Sequence, residues 1–103
     1  MPLLFSYGTL QKDDVQQSTV GRHLHGQPDE LPAYEKALVT IGSAHHLNVR
    51  FNGNQESRVA GTVFEVTDVD LVRVDAYEAA FLYKRVTALL ASNRQAWVYL
   101  KSD

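Results

Sequence analysis

Between Val59 and Lys101 the sequence reads as strand, capped helix, strand, turn and strand, and this succession constrains the fold more than any other feature. Val59 to Val66 is strand-like, with Gly61 where a bulge or a close backbone approach fits. Thr67, with Asp70 three residues on, is a variant of the capping box, so a helix is expected to start at Asp68. Tyr83 to Ala91 then reads as a strand of alternating faces, Ser92-Asn93-Arg94 as a tight turn, and Gln95 to Lys101 as its hairpin partner. Strands that outnumber helices and come in hairpin-compatible pairs predict an α+β fold. Its expected form is a small mixed, barrel-like β-sheet packed by one or two short helices.

Leu3 to Ser6 is an apolar run suited to a buried strand, and it leads into the turn Tyr7-Gly8-Thr9-Leu10, whose successive N–H groups can converge on an anion or a carbonyl oxygen. Gln11 to Val20 predicts a short helix capped by Asp13 or Asp14 and ended by Gly21. Arg22 to Gly26 alternates like a half-exposed strand, and Pro28, Asp29 and Pro32 are expected to interrupt any regular element. Tyr34 to Ile41 reads as a strand ended by Gly42, His45-His46 fall in an irregular middle, and Asn52-Gly53-Asn54 opens a surface loop through Arg58. With 103 residues and no linker or repeat, one domain over 1–103 is expected.

Charge and composition narrow the function classes. A net charge of −2 gives no electrostatic reason to expect nucleic acid or an anionic membrane as partner. The absence of cysteine excludes disulfides and thiolate catalysis. No uninterrupted apolar stretch reaches membrane length, so a cytoplasmic protein is expected.

Glu78 is the sharpest chemical candidate. Leu71, Val74 and Glu78 recur at i, i+3 and i+7, which places the glutamate where the core-facing stripe of a helix continues. A carboxylate there must be paired or must face a cleft, and partial burial raises its pKa toward the range of a useful general base. The competing reading has it reach into solvent or pair with Arg85. His23 and His25 share a strand face, but with His45 and His46 they form no motif of known metal geometry, so no metal site is expected. Ser6, Ser18 and Ser43 lack a nucleophile-elbow setting, and no glycine-rich nucleotide motif is present. Trp97 and Tyr99 read as core or cross-strand packing.

Taken together, Phe5-Ser6-Tyr7-Gly8-Thr9-Leu10, Gly61 to Val66, Asp75-Ala76-Tyr77-Glu78, Tyr83-Lys84-Arg85-Val86 and the closing Ala96-Trp97-Val98-Tyr99 resemble the gamma-glutamylcyclotransferase-like (AIG2-like) family. The resemblance implies a nearly closed sheet with a cavity at its mouth. It further implies Glu78 as acid and base, with Tyr7, Gly8, Thr9 and Leu10 binding substrate and Tyr83 beside the glutamate. The implied reaction cyclises a γ-glutamyl amide or peptide to 5-oxoproline and releases the amine, with no cofactor. Two further readings use the same residues: an amide hydrolase or acyl transferase, and a non-catalytic module that binds a small metabolite or a protein. Substrate identity and oligomeric state are open at this level.

Overall fold

The computed structural model describes residues 1–102. Seven strands and two α-helices follow one another as β1 (Leu3–Ser6), α1 (Asp13–Val20), β2 (Gly26–Pro32), β3 (Tyr34–Ile41), β4 (Ala44–Phe51), β5 (Arg58–Glu65), α2 (Asp68–Ala79), β6 (Lys84–Leu89) and β7 (Gln95–Leu100), with a 3-10 turn at Thr9–Gln11. Five strands form one sheet in the order β2-β5-β1-β7-β6, and β3 and β4 form a separate hairpin. The sheet is mixed, because β1 pairs antiparallel with β5 and parallel with β7. It curls until its edges meet at one end, where Ala91 N–H donates to the Glu30 carbonyl (2.9 Å) and Ser92 Oγ to Asp29. The fold is therefore α+β with a barrel-like sheet and two helices, and none of the described helices is long and apolar enough to cross a membrane.

Strand β1 is apolar from Leu3 to Phe5 because both of its faces are covered. Leu4 joins Leu10, Phe64, Leu71, Val74 and Tyr99 beneath the helices, whereas Phe5 joins Leu31, Val49, Val63 and Val98 on the opposite face. The period-2 alternation of side chains divides the core in this way. Helix α2 forms where the capping box predicts: Thr67 Oγ1 accepts from Asp70 N–H (3.0 Å), and the Asp70 carboxylate accepts from Thr67 N–H (2.9 Å). Leu71 and Val74 seat it, each contributing about 1.5–3 kcal/mol by burial.

Four expectations need correction. Gly26–Pro32 is a regular strand despite Pro28 and Pro32, because β2 pairs only with β5 and an edge strand can spare the missing N–H groups. The strand expected over Arg22 to Gly26 is therefore displaced to the residues that follow it. His45 and His46 lie within β4, in register with Thr40 and Val39 of β3 across a turn at Gly42, and not in an irregular segment. Helix α1 starts at Asp13, one or two residues before the start that a cap at Asp13 or Asp14 implies, with Lys12 at its N-cap; Asp13 and Asp14 occupy its first turn, where their charge complements the helix dipole. Gly21 does end it, at φ +80°. At Gly61 the ladder is regular, so there is no bulge; a Cβ there would run into the Ser6 carbonyl oxygen and the Phe5 ring, which makes the position a close approach between β5 and β1.

Candidate active site

The turn after β1 is held by neighbours on both sides. Gln16 is buried, donates from Nε2 to the Leu10 carbonyl (2.9 Å) and accepts from Leu24 N–H at Oε1 (2.8 Å). This amide clamps the 3-10 turn to the segment that follows α1. Gly8 N–H turns back to Ser6 Oγ (3.3 Å), whereas the N–H groups of Thr9 and Leu10, at the start of the 3-10 turn, have no acceptor among the described residues. Gly8 has φ −130°, so it is not there to supply a left-handed conformation, and a Cβ added to it would meet nothing within 4 Å.

The C-terminal end of α2 faces this turn. Tyr83 N–H donates to the Glu78 carbonyl (3.1 Å) and Leu82 N–H to the Ala79 carbonyl (3.0 Å), a Schellman closure in which Leu82 takes the left-handed position at φ +64°. The closure folds the chain back so that Tyr83 stands beside Glu78. Tyr83 OH then donates to the Leu47 carbonyl (2.5 Å), tying α2 to β4. Thr9 Oγ1 and Tyr77 OH, 3.2 Å apart, tie α2 to the first turn.

These elements enclose a cavity of about 240 Å³. Tyr7, Gly8, Thr9, Leu10, Glu78 and Tyr83 all line it, so the structure brings together the six residues singled out from the sequence. The Glu78 side chain takes part in no hydrogen bond or ion pair among the described residues, and burial pushes its carboxyl up from the ordinary 4.5 to about 7. Tyr7 OH donates to the Tyr99 carbonyl (2.7 Å); burial first, then the neighbouring Tyr83 and Glu78, raise its pKa. Burial and Glu78 raise that of Tyr83. Arg85 does not pair with Glu78: its Nε lies 3.2 Å from Asp75 Oδ1, and its guanidinium stacks 4.5 Å from the Trp97 ring centroid.

Sequence reasoning missed several wall residues. Tyr99 was expected to be packing alone, yet it lines the cavity, and its OH donates to Asp75 Oδ1 (2.5 Å), which seats α2 on β7. His46, Tyr77 and Phe81 complete the wall. Their signal was faint, since it required knowing that β4 lies against the end of α2. The four histidines are not gathered: His23 pairs with Asp13 (2.8 Å) and meets His25 edge to face, His45 bonds Thr40 (3.2 Å), and His46 packs on Phe81. Among the described residues no group of three or more His, Asp or Glu side chains is arranged to hold a metal ion.

Chemically, the cavity brings together a proton acceptor poised near neutrality and a turn whose Thr9 and Leu10 N–H groups are unbonded among the described residues. A family model described as gamma-glutamyl cyclotransferase, AIG2-like, matches residues 4–103. Among solved structures, an Arabidopsis thaliana protein is similar at TM-score 0.77 and 24% identity, with 99% of this chain and 71% of that chain covered. An uncharacterized Homo sapiens protein is similar at TM-score 0.79 and 12% identity, covering 98% and 66% respectively. A gamma-glutamyl cyclotransferase is similar at TM-score 0.75 and 13% identity, covering 99% and 67%. The chain thus spans about two thirds of the length of these structures, and at such identities the likeness speaks for the fold. No curated protein matches the chain significantly.

Proposed function

Because the chain belongs to the AIG2-like gamma-glutamyl cyclotransferase family, we propose that it converts a small γ-glutamyl amide to 5-oxoproline and a free amine, with Glu78 as general base and then general acid. The observation that carries this reading is a half-buried carboxyl, unpaired among the described residues and with its pKa pushed up to about 7, in a cavity that Thr9 and Leu10 also line. A carboxyl of that strength is divided between its two protonation states at neutral pH, which suits a group that must both take and return a proton.

The substrate carries nucleophile and electrophile on one chain, so positioning supplies much of the rate. Glu78 takes a proton from the α-ammonium, and the freed amine attacks the γ-carbonyl carbon. The oxygen that becomes negative, or the substrate's own carboxylate, is held by the Thr9 and Leu10 N–H groups; loss of such a donor costs about 3 kcal/mol of barrier elsewhere. As the new C–N bond forms, the ring nitrogen gives up its second proton. The old C–N bond breaks with protonation of the departing nitrogen by the Glu78 acid. Protons lost by one nitrogen are gained by the other, and no co-reactant is consumed. Tyr7 and Tyr83 hydroxyls, engaged with the Tyr99 and Leu47 carbonyls, act here by holding the walls.

The test is release of 5-oxoproline from a panel of γ-glutamyl amides by wild type and Glu78→Gln. The expected loss is about 10²–10⁴-fold in kcat, with the fold intact by circular dichroism. Undiminished turnover in the variant removes Glu78 from the reaction, and release of glutamate in place of 5-oxoproline marks a hydrolase.

A further inference from the structure

Resting on that cyclotransferase reading, we infer that the released amine carries a planar ring, held against an aromatic wall made by His46, Phe81 and Tyr77. The Phe81 ring stands between the other two, with centroids 5.1 Å from His46 and 5.7 Å from Tyr77. The three rings come from two separate elements: His46 from β4, Tyr77 and Phe81 from α2 and the turn after it. None of them belongs to either buried core cluster, and each is only half-buried while lining the cavity that holds Glu78. Three rings gathered at the wall of a cavity, with faces and edges still partly wet, are a surface on which another ring gains by offset or edge-to-face contact.

The inner part of the cavity is already assigned by the chemistry, since the glutamyl group must reach both Glu78 and the Thr9–Leu10 backbone. The ring wall is therefore left for what is attached to the γ-carbonyl. No lysine or arginine lines the cavity, so recognition there falls to ring surface and shape rather than to a fixed charge. The wall's position is fixed from both sides, by Tyr83 OH on the Leu47 carbonyl, next to His46, and by Tyr77 OH on Thr9.

The test compares γ-glutamyl phenethylamide with γ-glutamyl butylamide. The expected result is a kcat/KM about tenfold higher for the ring substrate. In Phe81→Leu, which keeps apolar bulk but removes the ring, that advantage disappears through KM, because the ring substrate loses about tenfold more kcat/KM than the butylamide does. Equal kcat/KM for the two amides, or an equal loss on both in Phe81→Leu, overturns the inference. If neither amide yields 5-oxoproline, the cyclotransferase reading falls by itself, and the wall is decided by titrating the protein with phenethylamine and butylamine under NMR. Shifts at His46 and Tyr77 with phenethylamine only, lost in Phe81→Leu, sustain the ring site; shifts with both amines or with neither refute it.

Discussion

Two concavities of the molecule share strand β4. The one between the β3–β4 hairpin and the β6–β7 pair holds about 410 Å³, against about 240 Å³ for the one beside α2. Yet the larger presents no acid among the described residues. No described carboxylate lines it, Arg50 reaches out to Glu35 (3.3 Å), and Asn48 is used up in a two-way exchange with the Lys101 backbone (2.9 and 3.1 Å). The same contrast recurs within one turn of α2. Asp75 is bonded to Tyr99 OH and Arg85, whereas Glu78, three residues on, is left without a partner in a drier setting. What separates a candidate site from a crevice is bonding capacity left unused in a desolvated place, and room alone does not supply it.

The most severe way to break this contrast is to add the same kind of bulk to each concavity. Gly8→Val introduces a side chain into the cavity that Gly8 and Glu78 both line, at a position where a Cβ meets nothing within 4 Å. Turnover of γ-glutamyl amides is expected to fall about 100-fold, the scale of displacing a substrate by about an ångström. Thr87→Ile on the exposed wall of the larger concavity is expected to leave turnover within about twofold. Steady-state kinetics on both variants, with melting curves to verify folding, check the pair. Equal losses would mean that the two concavities are not functionally distinct.

A gentler test addresses the two carboxylates. Asp75→Asn keeps an acceptor for Tyr99 OH but releases Arg85 from its ion pair. A cation freed near the end of α2 favours the ionised form of Glu78, so the rise of kcat/KM with pH, expected near 7 in the wild type, should move to lower pH by about one unit or less. An unmoved profile would show that Arg85 stays on the Trp97 ring and that the charge of Asp75 has no bearing on Glu78.

Legibility in the sequence followed the range of the interactions. The α2 start at Thr67, the Gly21 stop and the β6–β7 hairpin depend on residues within a few positions of one another, and local pattern found them. Strand β2 was misread because proline's prohibition lapses at a sheet edge, and which strand lies at an edge is a tertiary fact. Strand β4 was missed for a similar reason, since its hairpin packs outside the main sheet and shows no clean alternation, its residues running exposed, exposed, half-buried, half-buried, buried, buried, exposed, exposed. At the site, Glu78 stood out because an acid on an apolar stripe is a local contradiction. His46, Phe81 and Tyr99 contradict nothing locally, and only the approach of β4 and β7 to α2 gives them a place in the wall.

The smallest expected effect is on stability, and it tests whether Glu78 is as desolvated as its position requires. In the unfolded chain a glutamate titrates near 4.5, and in the folded protein Glu78 titrates at about 7. The folded state therefore holds a proton that the unfolded state has released at any pH between those values, so stability declines as pH rises through that window. Below 4.5 both states are protonated and the burial of the acid costs little. Above 7 the folded state must carry a charged carboxylate with no partner. Glu78→Gln carries no such charge, so its stability relative to wild type should climb between pH 4.5 and 7 and level off above, at roughly 1–2 kcal/mol. That is less than the full rise in pKa would give, because part of the group remains in water. Asp29 and Asp70, whose carboxyls their hydrogen bonds and arginine partners hold below the ordinary value, act in the opposite direction at lower pH, but they are common to both proteins and cancel in the difference. Urea unfolding of the two proteins at pH 4, 6 and 8 measures it. A difference that does not change with pH would place the Glu78 carboxyl in bulk-like solvent, and would remove the feature that sets the smaller concavity apart from the larger.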